Sequence, residues 1–430
     1  MSKRKRLLAG DHPVQLSSDS LSDVAAPSTE AAARDEQPPR HSPLFAGLDI
    51  LLALAMGMLI GAAYLPIVQA MQRDNIDYEA HASFAQRFVE QGILVSPACL
   101  LHLLIAAVVW LGLTASYESA TLGVVVCSHA SVAAVLYLCA RWAFRAVDGH
   151  PGRFLSIVIA VIGPFVQPLV PLSATYTIGY IWAEPYHSPT YALLKPFALA
   201  AAAFAVYFLA ASRKPDWRLI SLCAITVAAG TLAKPSFAIC ALPAVVLCSA
   251  YQYARQAAFS KIGVLCGWLL PALVVLLWQY FRTYASSHDP ARYANSIIFA
   301  PLAVMTSHTS ELAAPYFWSI LLPASVLVVY GKRAWADGGL RFSLTAFLFG
   351  TTYAYTLAEQ YYHFTGNFLW SAYITMFIVY FFSTVFVLKQ LTKPAPKFAT
   401  LLRALPCLVV LTWNLAAGVS VHMNYFRLSR

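Results

Sequence analysis

Long, unbroken apolar runs separated by short polar joints fill the chain from Leu44 onward. About 20 apolar residues cross the hydrocarbon of a bilayer as a helix. On that measure the runs near 44–68, 119–140, 154–171, 190–211, 218–234, 237–254, 262–281, 315–331, 340–357, 368–388 and 404–422 predict about eleven spans, within a range of 10–13. The runs are continuous, whereas strands of a membrane barrel alternate apolar and polar positions. The predicted fold is therefore all-α: a polytopic helical membrane protein. Residues 44–426 form the membrane domain, with 71–113 as its first outer loop.

Residues 1–43 break this pattern. They read MSKRKRLLAG and then Ser, Ala, Pro, Asp and Glu without an aromatic residue, which predicts a disordered tail. The first apolar run comes too late for a signal peptide. Composition agrees with the pattern: 59% of the chain is apolar and 11% charged, against about 45–50% and about 25% in soluble domains.

The net charge of +10 changes the picture only through its placement. Lys and Arg fall at the ends of apolar runs, which argues against nucleic acid as a partner and for a bilayer. Arg213, Lys214, Arg218, Arg255, Lys261, Lys332, Arg333, Arg341, Lys389, Lys393, Lys397 and Arg403 all lie on one side if the spans alternate; only Arg282 and Arg292 oppose them. The basic side is then cytoplasmic, the N-terminal tail is inside and the C-terminus outside. Three apolar runs lie between the outer segments 69–97 and 172–189, where an even number must cross. An interfacial or re-entrant helix at 98–113 resolves this; a spanning 98–113 with a re-entrant, Pro-rich 154–171 is the alternative.

Candidate chemistry collects on the predicted outer face. In DNIDYEAHASFAQRFVEQG (74–92), Asp74, Asp77, Tyr78 and His81 have the spacing of one helical stripe. Phe84, Phe88 and Val89 suit a helix lying on the membrane surface. GYIWAEPYHSPTYALLKPF (179–197) concentrates Trp182, Glu184, Tyr186, His187, Tyr191 and Lys195. In TLAKPSF, Lys234 precedes a helix-breaking Pro235. APLAVMTSHTS carries His308, and EQYYHFTGNFLW spaces Glu359, His363 and Asn367 at i, i+4, i+8. The eight cysteines form no CxxC pair and read as buried, inert thiols. No P-loop, GxGxxG or HExxH occurs. Apart from Asp49, ionisable groups are sparse within the central spans, which counts against an ion-coupled transporter.

Taken in order, DNIDYEAH, PYHSPTYALLKPF, LAKPSF, APLAVMTSH and GNFLW resemble the GT-C class of membrane glycosyltransferases, nearest to an uncharacterised bacterial group, over most of residues 44–390. The chain differs from better-known members in having no WWD-type signature. The resemblance implies a GT-C-like fold with an interfacial helix in the first outer loop, a polyprenyl-phosphate-linked sugar donor, a lipid-linked or cell-surface glycan acceptor, and a bacterial inner membrane. It matches Asp74 and Asp77 to the acidic residue of that class's first outer loop. Asp77 is then the expected general base, with Asp74 assisting and His81 orienting it. Two close carboxylates repel, and either a proton held by one of them or a shared divalent ion, Mg or Mn, relieves this. Lys195 and Lys234 are expected to hold the carrier phosphate, helped by His187 and Tyr186. His308 and the stripe of Glu359, His363 and Asn367 are expected on the substrate side of the same cavity. A polysaccharide polymerase or flippase, or a small-solute transporter, are the alternative readings.

Overall fold

The computed structural model describes residues 43–74, 76–145, 147, 150–166, 188–211, 215–285, 296–308, 312–360, 366–392 and 398–428. From Leu48 onward the described chain forms one unit. The predicted N-terminal tail, and the segment carrying Tyr186 and His187, lie outside the described residues.

Apolar sequence in a membrane forms helix because each helix satisfies its own backbone N–H and C=O groups. In order come α1 (Pro43–Asp74), α2 (Ile76–Gln91), α3 (Leu100–Trp110), α4 (Tyr117–Ala143), α5 (His150–Ile162), α6 (Pro189–Ala210), α7 (Trp217–Ala233), α8 (Ser236–Ala254), α9 (Leu270–Tyr280), α10 (Ala303–His308), α11 (Ala313–Tyr330), α12 (Lys332–Ala336), α13 (Gly338–Thr356), α14 (Leu369–Leu391) and α15 (Phe398–Leu428). Wider π-type turns extend α9 at both ends, over Gly263–Leu269 and Phe281–Ala285. Polar caps set several boundaries: Ser116, Asp216 and Asp337 accept backbone N–H groups at the starts of α4, α7 and α13. Ser188 does the same for α6, just ahead of Pro189, whose fixed φ suits a first helical turn.

Seven helices among the described residues are long and apolar enough to cross a membrane: Gly47–Arg73, Tyr117–Ala143, Pro189–Ala210, Ser236–Ala254, Gly263–Thr283, Leu369–Leu391 and Phe398–Met423. The protein is an all-α polytopic membrane protein. Seven of the eleven predicted runs coincide with these helices. The other four form α5, α7, α11 and α13, of which the first three have only a short apolar stretch. The run at 98–113 forms α3, whose 11 residues reach only about 16 Å, roughly half of the hydrocarbon thickness.

α2 and α3 make a hairpin that packs on α4. Tyr78, Ala82 and Ala85 form the enclosed face of α2. The sequence placed Asp74 and Asp77 in one stripe; instead Asp74 closes α1 and Asp77 opens α2. α6 and α14 run through the interior, and α13 lies against α14. Only glycine fits that crossing at Gly350, where a Cβ would stand 2.7 Å from the Ser371 carbonyl oxygen. β1 (Ile297–Phe299) pairs antiparallel with β2 (Leu357–Glu359), with Ile297 opposite Glu359. That pairing replaces the helical stripe predicted for Glu359, His363 and Asn367: Glu359 is extended, Asn367 lies in a turn, and His363 is outside the described residues. The cysteines are all free, but Cys127 and Cys266 are exposed, contrary to expectation. A surface facing lipid is as apolar as the interior, so an apolar run does not enclose its thiol.

Candidate functional site

Two ends of the bundle carry charge. At one, Asp49 near the start of α1 accepts a hydrogen bond from Tyr137 at 2.9 Å, meets the Arg153 guanidinium at 2.9 Å and pairs with Arg141 at 3.4 Å. This cluster ties α1 to α4 and α5.

The other end gathers sequence-predicted site residues around Lys234. Pro235 lacks an N–H and disfavours helical geometry in the residue before it, so α7 stops and Lys234 is extended, at φ −165° and ψ 129°. Its side chain turns toward the start of α6. The ammonium donates to Ser188 Oγ and Thr190 Oγ1, both at 3.3 Å, and lies 4.4 Å from the centre of the Trp370 ring. Burial pushes the ammonium down to about 8, while the nearby Asp77 carboxylate favours its charged form. Asp77, from α2, and Lys234, from the α7–α8 break, thus share one field.

Asp77 and His81 lie one turn apart on α2. His81 Nδ1 is 2.8 Å from Nε2 of His102 on α3, and Phe84 stands edge-on to both rings. Burial first, then His102 and Lys234, push His81 down to about 3, so it is neutral at ordinary pH. A neutral imidazole pair shares one proton, and which ring donates follows from its surroundings.

Lys195 lies one turn further along α6. Its ammonium sits 4.7 Å from the Tyr191 ring centre and 5.9 Å from that of Phe377. Tyr191 neighbours Trp370 at 5.1 Å, and Trp370 neighbours Tyr373 at 5.7 Å. An aromatic ladder between α6 and α14 therefore links the two lysines. Gln279 braces this end from α9: its amide donates to the Thr231 carbonyl at 2.9 Å, in the last turn of α7, and to Pro97 at 3.1 Å, ahead of α3.

The remaining candidates divide. Asn367 donates to Glu359 at 2.8 Å. Val304 of α10 lines a crevice with both, and His308 ends that helix. Asn367 precedes Trp370 by three residues. No group of three or more His, Cys, Asp or Glu suited to a metal ion gathers among the described residues. The positive charge near Asp77 comes from Lys234.

Sequence reasoning missed His102, Ser188, Thr190 and Trp370. His102 reads as one polar residue in an apolar run, and nothing in the order of residues marks its pairing with His81. It also missed a 690 Å³ groove between α3, α4, α6 and α7. The hydroxyls along it, Ser128, Ser131 and Thr226, all bond carbonyls of their own helices, so the wall is effectively apolar and suits a hydrocarbon chain. No protein-family model, curated protein or solved structure matches the chain.

Proposed function

We propose that the protein is a membrane glycosyltransferase of GT-C type, moving a sugar from a polyprenyl-phosphate-linked donor to a lipid-linked or cell-surface glycan acceptor. The observation that carries this reading is that Asp77 and Lys234, from two separate helical hairpins, come close enough for the carboxylate to favour the charged ammonium. A carboxylate and an ammonium near enough to act on one another match the two demands of the reaction. The acceptor hydroxyl must lose its proton, and the departing phosphate must have its charge met.

In the proposed step the acceptor oxygen attacks the anomeric carbon. The bond from that carbon to the phosphate oxygen breaks, and its electron pair leaves on the phosphate. The acceptor proton passes to Asp77. Lys234 receives the phosphate, with the Ser188 and Thr190 hydroxyls reorienting to donate to it. The His81–His102 pair borders Asp77 and fixes the α2–α3 hairpin against the site. Trp370 offers an apolar ring face beside the ammonium, a surface on which the C–H face of a sugar can rest. Glu359 and Asn367 form the acceptor side. The groove on the α3–α4 side of α6 accepts a lipid chain. No step is routed through a metal ion.

The topology belongs to the same proposal: eleven spans in a bacterial inner membrane, the tail cytoplasmic, the Lys234 end outside, and α2–α3 lying at the interface. Purified full-length protein, incubated with polyprenyl-phosphate sugars and acceptor lipid, is expected to release free carrier. No release from any sugar of a broad panel, by protein shown to be folded, overturns the reading.

A further inference from the structure

Lys195 poses a question that one phosphate does not answer. It lies in the first half of a membrane-spanning helix and is half-buried. Its ammonium meets two aromatic faces and, among the described residues, no oxygen acceptor or carboxylate. A cation inside a membrane protein is costly unless an opposite charge or a hydrogen-bond partner meets it. Aromatic faces recover only part of that cost. Lys234 is held by two neutral hydroxyls and one ring, with the Asp77 carboxylate near enough to favour its charge.

The two lysines are ordered along the helix. Lys234 is anchored at Ser188 and Thr190, at the very start of α6. Lys195 comes five residues after Thr190, which places its backbone about 7.5 Å deeper. Both ammonium groups face the same seam, because Tyr191 under Lys195 abuts Trp370 under Lys234. A phosphodiester carries one negative charge and one phosphoryl group, which Lys234 and its two hydroxyls suffice to meet. A diphosphate carries a second phosphoryl group, joined through one oxygen and displaced toward the lipid.

We infer that this seam binds a lipid diphosphate, with the sugar-bearing phosphoryl group at Lys234 and the lipid-bearing one deeper, at Lys195. The polarity is consistent: the lipid end points into the span, and the sugar end lies toward Asp77, whose carboxylate acts on Lys234. The inference rests on the glycosyl-transfer reading for the sugar, but the anion site stands without it.

The test is equilibrium binding to the full-length protein in nanodiscs, using a prenyl monophosphate and a prenyl diphosphate of the same chain length, with inorganic pyrophosphate as a third probe. The diphosphate is expected to bind about 10- to 100-fold more tightly than the monophosphate, the range set by one added charge-assisted contact. Lys195→Met keeps the length of the side chain and is expected to abolish that preference. Lys234→Met is expected to weaken both lipids. Equal binding of the two lipids by the unaltered protein overturns the inference, whether or not the variants fold. So does a preference that survives Lys195→Met. Monophosphate binding that depends on Lys234, without any diphosphate preference, overturns the inference and leaves the glycosyl-transfer reading standing. Failure of both lipids to bind sinks both. Inorganic pyrophosphate binding as tightly as the prenyl diphosphate shows a free diphosphate as the ligand and removes the lipid from the proposal.

Discussion

The two charged ends of the bundle hold their charges in opposite ways. Around Asp49, one carboxylate is met by two guanidinium groups and a phenol, all within 3.4 Å. Around Lys195 and Lys234, two ammonium groups are met by hydroxyls and aromatic rings. The first arrangement is closed: opposite charges on α1, α4 and α5 satisfy one another and hold the helices together. The second is, in the proposed reading, open toward an anion. Neutral partners keep a cation in place without neutralising it, so its charge remains for a ligand. Composition treats both ends alike, as a few ionisable residues in apolar sequence. Among the described residues Asp49 is in ion-pair contact with its cations, whereas Asp77 acts on Lys234 without such a contact.

Four substitutions and a pH series sharpen that contrast. The largest effect is expected at Asp77. Asp77→Asn preserves size and hydrogen bonding but removes the base, so turnover should fall about 10²- to 10⁴-fold with donor binding retained. Full turnover in Asp77→Asn, measured as carrier release, removes Asp77 from the chemistry; loss in Asp74→Asn instead transfers the role to Asp74.

Next comes the closed end. Asp49→Asn leaves Arg141 and Arg153 without their carboxylate, and breaking such a pair costs about 3 kcal/mol. Thermal unfolding in detergent should show the loss, while the affinity of the folded protein for donor stays the same. A variant that keeps its stability but loses donor affinity reverses the assignment of the two ends.

The smallest effect is expected from proton release at Lys234. The ammonium is charged below about 8 and loses its proton as pH rises through that value. Donor binding should therefore be full at pH 7 and fall by up to about tenfold for each pH unit above 8. Lys234→Arg stays charged throughout that range, so its binding should remain flat to pH 9. Identical pH profiles for the two proteins would place the titration elsewhere.

Much of the fold was legible because the membrane leaves backbone few choices. Apolar runs such as 119–140 and 190–211 become helix wherever they fall, so α4 and α6 appear where their hydropathy places them. The length of each helix was less legible. The 98–113 run shortens to α3, and in 154–171 the α-helix gives way to a tight turn at Gly163–Phe165. The site was legible in part. Lys234 stood out as a lysine before a proline at the end of an apolar run, and Asp77 as an acid just past the first span. Glu359 and Asn367 were found for the wrong reason, since their contact comes from a strand and a turn and not from a helical stripe.

The sequence by itself determined the membrane, the helices and the residue types available for chemistry. Each of these follows from local composition and the cost of unsatisfied backbone in lipid. Only the tertiary structure decided which groups meet. His81 and His102 are 21 residues apart and bonded; Lys234 reaches Ser188 across 46 residues and Trp370 across a longer stretch of chain. Asp77 shares the field of Lys234 only because the α2–α3 hairpin folds over the end of α7. Spacing along one helix reports neighbours three or four residues away. Contacts between helices depend on how distant segments pack, and on residues such as Gly350, which lacks a side chain, and Gln279, which bridges two segments.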